Sequence, residues 1–560
     1  MRLLLLSAVI GLAFMVAPAP EAHARSGQDR ATAVEALVHS VAKPDEPGLA
    51  VAVLVDGRVA ARAVAGQADL EHSAPVEDAT VFQAASLSKQ FTAFAILLLE
   101  REGKLSIDAP VSTYLPEARR WPPITLRRLM DHTNGLRDVG ALLSMAGWRD
   151  EDLVTDQQAL DMVLAQDGLN FAPGASFQYN NSDYVLLAEV VRRVSGQSLA
   201  DFSQTRIFGP LDMTHTRFQT ELTTVRRGQA QSYAPGGDGF ERQVLNHLHT
   251  GSTGLHTTAE DLLRWAANFE SGEVGGPAVF RRMEAVGRLN SGAESFYPYA
   301  LGQERRVYNG RQVWSHGGRT GGFRSSLLRI PGERLAISVL PNRSDLDASA
   351  MAYRISDIFS PMPSPALPEP GTEPTPGDLA AYAGDYELFP AVFLNFTTDG
   401  EQLFLSVGGQ PPAPLPTLSQ RTFELNPKTG LSVTFDEVVA GQSRGLKYVI
   451  GRNGALSATR VDLLPFAPAS VRTEDYTGRY RSAELSTEYV FQAVDGDLVA
   501  HHPRWPPTRM RAYQPDVFAG AEGLLSRVRF KRDAGGRVIG FELSGPVAEG
   551  IVFVREPLQD

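Results

Sequence analysis

The 560-residue chain contains no cysteine and only six lysines. Without cysteine it can form no disulfide, no thiol nucleophile and no cysteine-ligated metal site. Beyond its first residues, no stretch approaches the roughly 20 apolar residues that a membrane-spanning helix needs. We therefore expect no membrane span in the mature protein. The net charge of −11 argues against nucleic acid or anionic lipid as a partner, and the length suggests two to four domains.

The N-terminal segment, residues 1–24, has the pattern of a secretory signal peptide. One arginine is followed by an apolar run and by the small-x-small ending Ala22-His23-Ala24. The apolar part is too short to span a membrane comfortably. We predict cleavage after Ala24 and a periplasmic or secreted location in a bacterium, which fits the absence of cysteine.

The composition changes along the chain and predicts several domains. A stretch rich in Pro, Gly and Ser predicts an extended linker. Helical and strand-like patterns mix before it, and short alternating strands follow it. The segments "LAAYAGDYEL" and "TEDYTGRYRS" resemble each other, which favours two small antiparallel β-barrels over the alternative of one continuous β domain. The predicted units are a catalytic domain (25–359), the linker (360–378) and two barrels (379–470 and 471–560).

Local patterns in the first domain predict three elements. Asp56-Gly57 lies between two apolar runs and predicts a β-hairpin. The segment "SDYVLLAEVVRRVSG" predicts an amphipathic helix that ends at Gly196. Thr257 followed by Glu260 matches a capping box that opens a helix.

The segment "AASLSKQFTAFAILLLE" places Lys89 near the start of an almost wholly apolar helix, three residues after Ser86. Positions i and i+3 share one helix face, so Lys89 can approach the Ser86 hydroxyl. A serine nucleophile needs a base, and a lysine in apolar surroundings tends to lose its charge. The alternative is a capping serine followed by a solvent-facing lysine. Ser40–Lys43 matches the same pattern, but it runs into Pro44 and starts no helix.

Two further segments make the pattern specific. Tyr179-Asn180-Asn181 precedes the predicted helix, and His316-Gly317-Gly318 ends a strand-like run. With Ser86 and Lys89 they form the ordered trio Ser-x-x-Lys, Tyr-x-Asn and His-x-Gly. At these motifs the chain resembles the penicillin-recognising serine hydrolases, which include class C β-lactamases, DD-peptidases, D-aminopeptidases and related esterases. Further matching segments are 129–138, 171–187, 207–216 and 252–262.

This resemblance implies a mixed α/β catalytic domain, with an antiparallel sheet flanked by helices. It implies that Ser86 is the acylated nucleophile, that Lys89 is its base, and that Tyr179 shuttles protons. Asn181 would hold the substrate amide and the lysine. The oxyanion hole would combine the N–H of Ser86 with that of Arg319.

The third motif departs from one branch of the family. β-Lactamases and penicillin-binding enzymes usually carry Lys-Thr-Gly, whereas this chain has His316 and Gly318 at the corresponding, substrate-binding positions. An imidazole is a weaker clamp for a carboxylate than a lysine. The motif therefore favours D-aminopeptidase-like or esterase activity over β-lactam hydrolysis. A literal Lys-Thr-Gly at 428–430 follows Asn-Pro in the barrel region and is interpreted as a turn.

Other motifs are interpreted as structural. The Gly-x-Ser-x-Gly pattern at 441–445 leads into a strand rather than a helix, which predicts a hairpin turn. His132 beside Asp131 suggests a dyad, but a packing role is favoured. His501 and His502 point to opposite sides of a strand and have no third ligand. We therefore predict no metal and no cofactor.

The sequence thus predicts an exported serine hydrolase that acts through a Ser86 acyl-enzyme on small amides or peptides with a D-residue. A carboxylesterase or weak β-lactamase of the same fold is the alternative, and a non-catalytic penicillin-binding sensor is a more distant one. The domain layout resembles that of bacterial D-aminopeptidases, in which a barrel loop reaches the cleft. The segment 501–510 is our candidate for that loop. The predicted partner is a small molecule or short peptide, and the oligomeric state is left open.

Overall fold

The structure is a computed structural model that describes residues 27–557 except 222, 245, 296, 362–372, 390–391, 408–411, 427–430, 450–454, 462–470 and 521–524. The predicted signal peptide, most of the predicted linker and the Lys-Thr-Gly at 428–430 lie outside the described residues. Within the described ranges, no helix is long and apolar enough to cross a membrane.

The α-helices lie mainly in the first 360 residues. They are α1 (Gly27–His39), α2 (Ser88–Arg101), α3 (Leu126–Met130), α4 (Val139–Met145), α5 (Asp156–Leu164), α6 (Ser182–Ser195), α7 (Leu199–Ser203), α8 (Ala259–Ser271), α9 (Pro277–Met283), α10 (Ala348–Phe359) and α11 (Pro376–Tyr382). Short 3-10 helices occur at Val111–Thr113, Pro116–Arg120, Pro331–Glu333 and Thr473–Tyr476, and a π-helix at Gln204–Phe208.

The strands of the first 360 residues include a six-stranded antiparallel sheet in the order β10-β11-β12-β13-β1-β2. The ranges are β1 (Leu49–Val55), β2 (Arg58–Ala65), β3 (Gln67–Asp69), β4 (Ala74–Pro75), β5 (Phe82–Ala85), β6 (Arg217–Phe218), β7 (Tyr233–Gly236), β8 (Gly239–Arg242), β9 (Leu255–Thr257), β10 (Glu304–Tyr308), β11 (Arg311–Thr320), β12 (Phe323–Ile330) and β13 (Leu335–Pro341).

The six-stranded sheet is covered by helices on both faces, so its central strands are apolar on both sides. In β1, Val51 and Val53 pack with α1 and α10, whereas Ala50 and Ala52 belong to the core on the opposite face. A strand buried on both faces has a continuous apolar sequence instead of an alternating one. The expected mixed α/β domain, with an antiparallel sheet flanked by helices, is confirmed.

Helix α2 runs through the larger of these cores. Its residues from Ser88 to Leu99 are all buried, as expected for a helix that is apolar all round. Phe91 and Phe94 pack against Trp265 of α8 at ring-centroid distances of 4.6 and 5.0 Å. The burial of this helix is what removes Lys89 from water.

Two of the three predicted local elements are confirmed and one is displaced. Asp56-Gly57 connects β1 to β2, and α6 ends at Gly196 in the left-handed conformation. The N-cap of α8 is Thr258, whose hydroxyl accepts from Asp261 N, so the capping box predicted one residue earlier is wrong. Thr257 instead ends β9 and forms a buried 2.6 Å hydrogen bond with the hydroxyl of Thr216.

The region after α10 begins with a nine-stranded antiparallel sheet in the order β17-β16-β15-β14-β24-β23-β20-β19-β18. Its edge strands β17 and β18 are separated by Pro416 alone, so the sheet curls into a nearly closed barrel. The strands of this region are β14 (Gly384–Phe389), β15 (Val392–Thr398), β16 (Leu403–Val407), β17 (Ala413–Leu415), β18 (Thr417–Ser419), β19 (Thr422–Asn426), β20 (Leu431–Phe435), β21 (Val438–Val439), β22 (Gln442–Ser443), β23 (Gly445–Val449) and β24 (Ala455–Val461).

The last three residues of the predicted linker, 376–378, form the start of α11, which Thr375 caps. That part of the linker is therefore helical and not extended.

The last eight strands form a closed antiparallel barrel. Its strands are β25 (Gly478–Ser482), β26 (Thr487–Val494), β27 (Asp497–His502), β28 (Trp505–Gln514), β29 (Val517–Gly520), β30 (Arg527–Arg532), β31 (Val538–Gly545) and β32 (Ala548–Arg555). The interior is filled by aromatic side chains, among them Tyr480, Phe491, Phe530 and Phe541.

The internal sequence similarity corresponds to a repeated structural detail. The Tyr386 hydroxyl donates to Tyr382 O at 3.0 Å, and the Tyr480 hydroxyl donates to Tyr476 O at 2.8 Å. Each pair brackets a glycine of positive φ, 149° at residue 384 and 143° at residue 478. The two barrels therefore begin with the same local structure, which supports two modules over one continuous β domain.

Candidate active site

Ser86 lies in the turn between β5 and α2. Ala85, directly before it, has φ = 47°, a left-handed conformation that residues with a Cβ seldom adopt. This sharp turn carries the chain from the strand into the helix. Ser86 is half-buried and lines a cavity of about 1030 Å³, so the candidate nucleophile faces a space in which a substrate can bind.

Lys89 is fully buried and directly contacts Ser86. Its Nζ donates hydrogen bonds to Ser86 Oγ (3.1 Å), Asn181 Oδ1 (2.8 Å) and Ser252 O (2.9 Å). Burial lowers its pKa to about 7, although the carboxylates of Asp138 and Asp183 oppose the shift. An amine with this pKa can lose its proton near neutral pH and accept the proton of the serine hydroxyl.

Tyr179 covers the lysine with its ring and brings its hydroxyl close to Ser86. Lys89 Nζ lies 4.8 Å from the centroid of the Tyr179 ring. Burial raises the pKa of Tyr179 far above its usual value, and the nearby Ser86 hydroxyl lowers it only in part. The buried hydroxyl has no hydrogen-bond partner at ordinary distance among the described residues. It is therefore protonated and available for a group entering the site.

Asn181 is held by an acidic residue that the sequence analysis did not single out. Its backbone N and its Nδ2 donate to Asp138 Oδ2 at 2.8 and 3.1 Å. The other carboxylate oxygen of Asp138 accepts from Gly140 N and Ala141 N and thereby caps α4. The sequence did contain a signal for this residue, because Asp138 immediately precedes α4 and aspartate is a typical N-cap residue. Asp138 fixes the amide so that its Oδ1 faces Lys89.

His316 on β11 has both ring nitrogens occupied. Nε2 accepts from the Tyr299 hydroxyl at 2.9 Å, and Nδ1 donates to Gly317 O at 2.6 Å. Burial lowers its pKa to about 4, so the imidazole is neutral at physiological pH. It lines the cavity, but it carries no charge for a substrate carboxylate.

Gly318 lies where β11 passes close to the strand that precedes the nucleophile. A Cβ at this position would lie 2.2 Å from Ser325 Oγ and 2.5 Å from Ala84 O. The Ser325 hydroxyl donates to the same Ala84 carbonyl at 2.7 Å. Only glycine permits this approach, which places the following residue, Arg319, on the wall of the cavity that contains Ser86.

A hairpin turn of the second barrel forms one side of the cavity. Pro546 and Val547, between β31 and β32, line it. Val547 O accepts from Asp138 N and from Asn170 Nδ2, each at 3.0 Å, and Gln178 Nε2 donates to Pro546 O at 3.1 Å. A barrel segment therefore reaches the cleft.

The segment 501–510 does not line the cleft, so our candidate for the barrel loop is wrong. It forms the end of β27 and the start of β28, and it packs on α4 and the chain that follows. Trp505 Nε1 donates to Ser144 O at 3.1 Å, and Arg504 pairs with Asp152 at 2.6 Å. Its aromatic and basic residues serve domain docking. The sequence signal of the true loop was a Gly-Pro turn at 545–546 between two alternating strands.

His132 contacts Asp183 and not the adjacent Asp131. Its Nδ1 lies 2.7 Å from Asp183 Oδ2, and both side chains are fully buried. Loss of water lowers the pKa of His132 well below its usual range and raises that of Asp183 well above its own. The His132 ring packs 4.5 Å from that of Tyr179. This position beneath the tyrosine agrees with a packing role.

The remaining motifs lie in structural positions. Ser443 is in β22, where its hydroxyl donates to Gly445 O at 2.8 Å. His502 contacts Thr487 and Arg504 N through its two ring nitrogens. Within the described ranges, three side chains that could share a cation occur together at Asp69, Glu71 and His72, in a largely exposed turn.

The fold and the contact between Lys89 and Ser86 define a serine hydrolase built on the β-lactamase/transpeptidase architecture. The family model described as Beta-lactamase matches residues 33–358, more than half of the chain, and the protein belongs to this family. A D-aminopeptidase of Cereibacter sphaeroides (strain KD131) is 27% identical over 531 residues, which cover 91% of this chain and 96% of the relative. A D-aminopeptidase of Gluconobacter oxydans is 31% identical over 296 residues, covering 53% of this chain and 56% of the relative.

Solved structures agree on the fold. The octameric penicillin-binding protein homologue from Pyrococcus abyssi superimposes with a TM-score of 0.55 at 22% identity, covering 76% of this chain and 99% of that one. The D-amino acid amidase from Ochrobactrum anthropi gives a TM-score of 0.51 at 20% identity, covering 59% and 97%. The chain is thus similar to D-aminopeptidases over nearly its whole length, and the solved structures share its fold.

Proposed function

We propose that the protein is an exported amidohydrolase that cleaves small amides or short peptides of D-amino acids through an acyl-enzyme on Ser86. The observation that carries the proposal is the fully buried Lys89, whose Nζ contacts Ser86 Oγ and whose pKa is lowered to about 7. A lysine placed in this way is a base matched to neutral pH. The D-aminopeptidase relatives support the substrate class, and the signal-like N-terminus supports export.

In the proposed reaction, neutral Lys89 accepts the hydroxyl proton of Ser86 as Oγ attacks the substrate carbonyl carbon. The oxyanion that forms accepts hydrogen bonds from the backbone N–H groups of Ser86 and Arg319. Tyr179 donates its proton to the leaving nitrogen and is reprotonated by Lys89, so the amine leaves neutral. Water then attacks the ester, its proton follows the same path in reverse, and Ser86 is released with the free acid.

Deprotonated Lys89 also keeps its geometry. Its two remaining N–H bonds can stay on Asn181 Oδ1 and Ser252 O, while its lone pair faces Ser86 Oγ. Asp138 holds Asn181 in place through two hydrogen bonds. The lysine therefore does not need to move when it changes from donor to acceptor, as pre-organised catalysis requires.

The barrel hairpin supports a preference for short substrates. Pro546 and Val547 border the cavity near Gln178 and Asn170, and their main chain is fixed by the hydrogen bonds described above. A long extension of the acyl part of the substrate would meet this hairpin. We therefore expect a free or minimally extended amino group on the D-residue.

The proposal is tested by kcat/KM on D-alanyl and L-alanyl anilides beside a short-chain acyl ester, with Ser86→Ala as the control. A strong preference for the D-anilide, abolished by Ser86→Ala, is the expected result. Fast cleavage of the ester without cleavage of either anilide would contradict the proposal and indicate a carboxylesterase. If the Ser86→Ala variant still cleaves the substrate, the nucleophile is a residue other than Ser86. Export is checked separately by the N-terminal sequence of the mature protein, expected to begin at Arg25.

A further inference from the structure

One edge of β11 has no strand partner where the strand passes the cavity. β10 pairs with β11 only as far as the residue pair Glu304 and Ser315, whereas β12 follows the other side of β11 as far as Thr320. Within the described ranges, the stretch from His316 to Thr320 is therefore paired on one side only. This stretch lines the cavity that contains Ser86, so its position determines how a substrate meets the nucleophile.

The side chain of His316 binds to the main chain of this stretch. Its Nδ1 lies 2.6 Å from Gly317 O, and because a carbonyl oxygen only accepts hydrogen bonds, Nδ1 must carry a proton. Burial lowers the pKa of His316 to about 4; Glu304 opposes this shift, and Lys89 and Arg306 add to it. The ring is therefore neutral at physiological pH and carries a single proton. Nε2 has none and is an acceptor.

The hydroxyl of Tyr299 is the donor that this tautomer requires. It lies 2.9 Å from His316 Nε2, and since Nε2 carries no proton, the hydroxyl donates. Tyr299 is 1% exposed, and burial raises the pKa of its hydroxyl well above the usual value, so the donor keeps its proton. One hydrogen bond thus fixes which ring nitrogen of His316 is protonated, and with it the bond to Gly317 O.

Tyr299 is held behind the cavity wall. Its carbonyl accepts from Gly287 N at 2.9 Å, and its ring packs against those of Tyr179 and His132 at centroid distances of 6.0 and 4.6 Å. It is not among the described residues that line the cavity. Tyr299 therefore connects Tyr179 with His316 without touching the space in which a substrate binds.

We propose that Tyr299 is a positioning residue of the hydrolytic reaction: its hydroxyl keeps the proton of His316 on Nδ1, and the resulting bond to Gly317 O holds the unpaired edge of β11 in place. The inference rests on the proposed function, in which the N–H of Arg319 on the same stretch stabilises the oxyanion. Such a donor must lie about 3 Å from the oxyanion, and a misplacement of about 1 Å costs on the order of 100-fold in rate. His316 thus serves the main chain of β11 and not a charged group of the substrate.

The first measurement is ¹⁵N NMR of the protein labelled at histidine, which shows which nitrogen of each ring is protonated. The signals of His316 are those that disappear in His316→Asn. We expect a proton on Nδ1 and none on Nε2 in the unmodified protein, and a mixture of the two tautomers in Tyr299→Phe. A proton on Nε2 in the unmodified protein would overturn the proposal, and so would a Tyr299→Phe variant in which the proton stays wholly on Nδ1.

The second measurement is a double-mutant cycle on kcat for the D-alanyl anilide. Tyr299→Phe should lower kcat on the order of 10-fold, the scale of one neutral hydrogen bond, and leave KM unchanged. Asparagine at position 316 keeps an N–H donor near the place of Nδ1 but has no group at the place of Nε2. In the His316→Asn background, Tyr299→Phe should therefore have no further effect. The matched control is Tyr480→Phe, which removes a buried hydroxyl that donates to Tyr476 O at 2.8 Å in the second barrel and should leave kcat unchanged.

An equal loss of kcat from Tyr299→Phe in both backgrounds would show that Tyr299 does not act through His316, which contradicts the proposal. A rise in KM alone would contradict it as well, because it would assign Tyr299 to substrate binding. If the unmodified protein does not cleave the anilide, the proposed function fails, and the tautomer of His316 still decides the present inference. If the anilide is cleaved while the proton of His316 lies on Nε2, this inference fails and the proposed function stands.

Discussion

Arg137 and Glu484 form a buried ion pair of 2.5 Å between the first domain and the second barrel, with side chains only 4% and 11% exposed. Arg137 also donates to the carbonyls of Glu549 and Gly550 at 2.8 and 3.0 Å. The next residue, Asp138, accepts from Asn181. Arg137 therefore holds the second barrel, and the next residue, Asp138, holds the side-chain amide of Asn181 beside Lys89. The two functions depend on consecutive residues.

Removing the charge of Glu484 should loosen this interface. Glu484→Gln leaves a buried guanidinium without its counter-ion, which costs on the order of 3 kcal/mol, the lower end of the range for a broken buried pair. We expect a lower denaturation midpoint and a fall in kcat. The control is Asp497→Asn, whose pairing with Arg509 is exposed and should contribute less than about 1 kcal/mol. Equal effects of both variants would contradict the coupling.

The rate should depend on the protonation of Lys89. Because its pKa is lowered to about 7 and the neutral amine is the proposed base, kcat/KM should rise with pH and level off above about 7. The unfolded chain holds this proton up to its ordinary pKa of 10.5. It therefore binds more protons than the folded protein between 7 and 10.5, and the contribution of Lys89 to the free energy of unfolding grows with pH across that window. A flat rate profile from pH 5 to 9 would exclude this base.

Replacing the proton-carrying groups should slow the reaction without unfolding the protein. Lys89→Met and Tyr179→Phe keep most of the buried volume, and each should lower kcat on the order of 10² to 10⁴-fold, the scale of a lost general acid–base group. Lys43→Met removes a lysine that is 75% exposed and pairs with Glu46. It should leave kcat unchanged. A Tyr179→Phe variant with full activity would assign the proton transfer to another group.

The close approach at Gly318 can be tested with a single methyl group. In Gly318→Ala the new Cβ would meet Ser325 Oγ and Ala84 O, and overpacking of this kind costs about 1–3 kcal/mol. Displacing β11 by about 1 Å should also reduce kcat on the order of 10²-fold. Gly237→Ala is the control, since among the described residues no atom beyond its two chain neighbours would lie within 4 Å of the new Cβ. Gly318→Ala should lower both the free energy of unfolding and kcat, whereas Gly237→Ala should change neither.

Trimming the barrel hairpin should widen the cleft. Val547→Ala keeps the main-chain bonds to Asp138 and Asn170 and removes two methyl groups from the wall. For substrates extended by one residue on the amino side, kcat/KM should rise on the order of 10-fold, the scale of one or two methylene groups in a pocket. Val554→Ala, at a 61% exposed position of β32, serves as the control. An unchanged length preference would show that the hairpin does not limit the substrate.

Short-range patterns predicted much of this structure. The spacing of Ser86 and Lys89, together with the apolar helix that follows, indicated a buried lysine beside a serine, because a helix apolar all round belongs in a core. The Asp56-Gly57 hairpin and the end of α6 at Gly196 followed from turn and cap chemistry. The displaced cap of α8 depended on a contact between Thr257 and Thr216, which are far apart in sequence.

The parts that the sequence did not predict arise from docking between distant segments. Asp138 forms a hydrogen bond with Asn181, which lies 43 residues later in the sequence, and His132 contacts Asp183, which lies 51 residues later. The choice of 501–510 as the cleft loop relied on composition. The docking surface of the barrel, here the contact between Arg137 and Glu484, decides which hairpin reaches the site. No local sequence pattern indicates where the barrel docks.

The similar tyrosine pairs at the start of the two barrels bear on how the cleft is built. The two barrels share this local structure but contact different parts of the molecule. The second borders the cleft through Pro546 and Val547, whereas Glu387 of the first pairs with Arg527 of the second at 3.2 Å. One wall of the cavity therefore comes from a separate β-barrel, so that wall can change in sequence while Ser86, Lys89 and Tyr179, which lie in the first domain, stay the same.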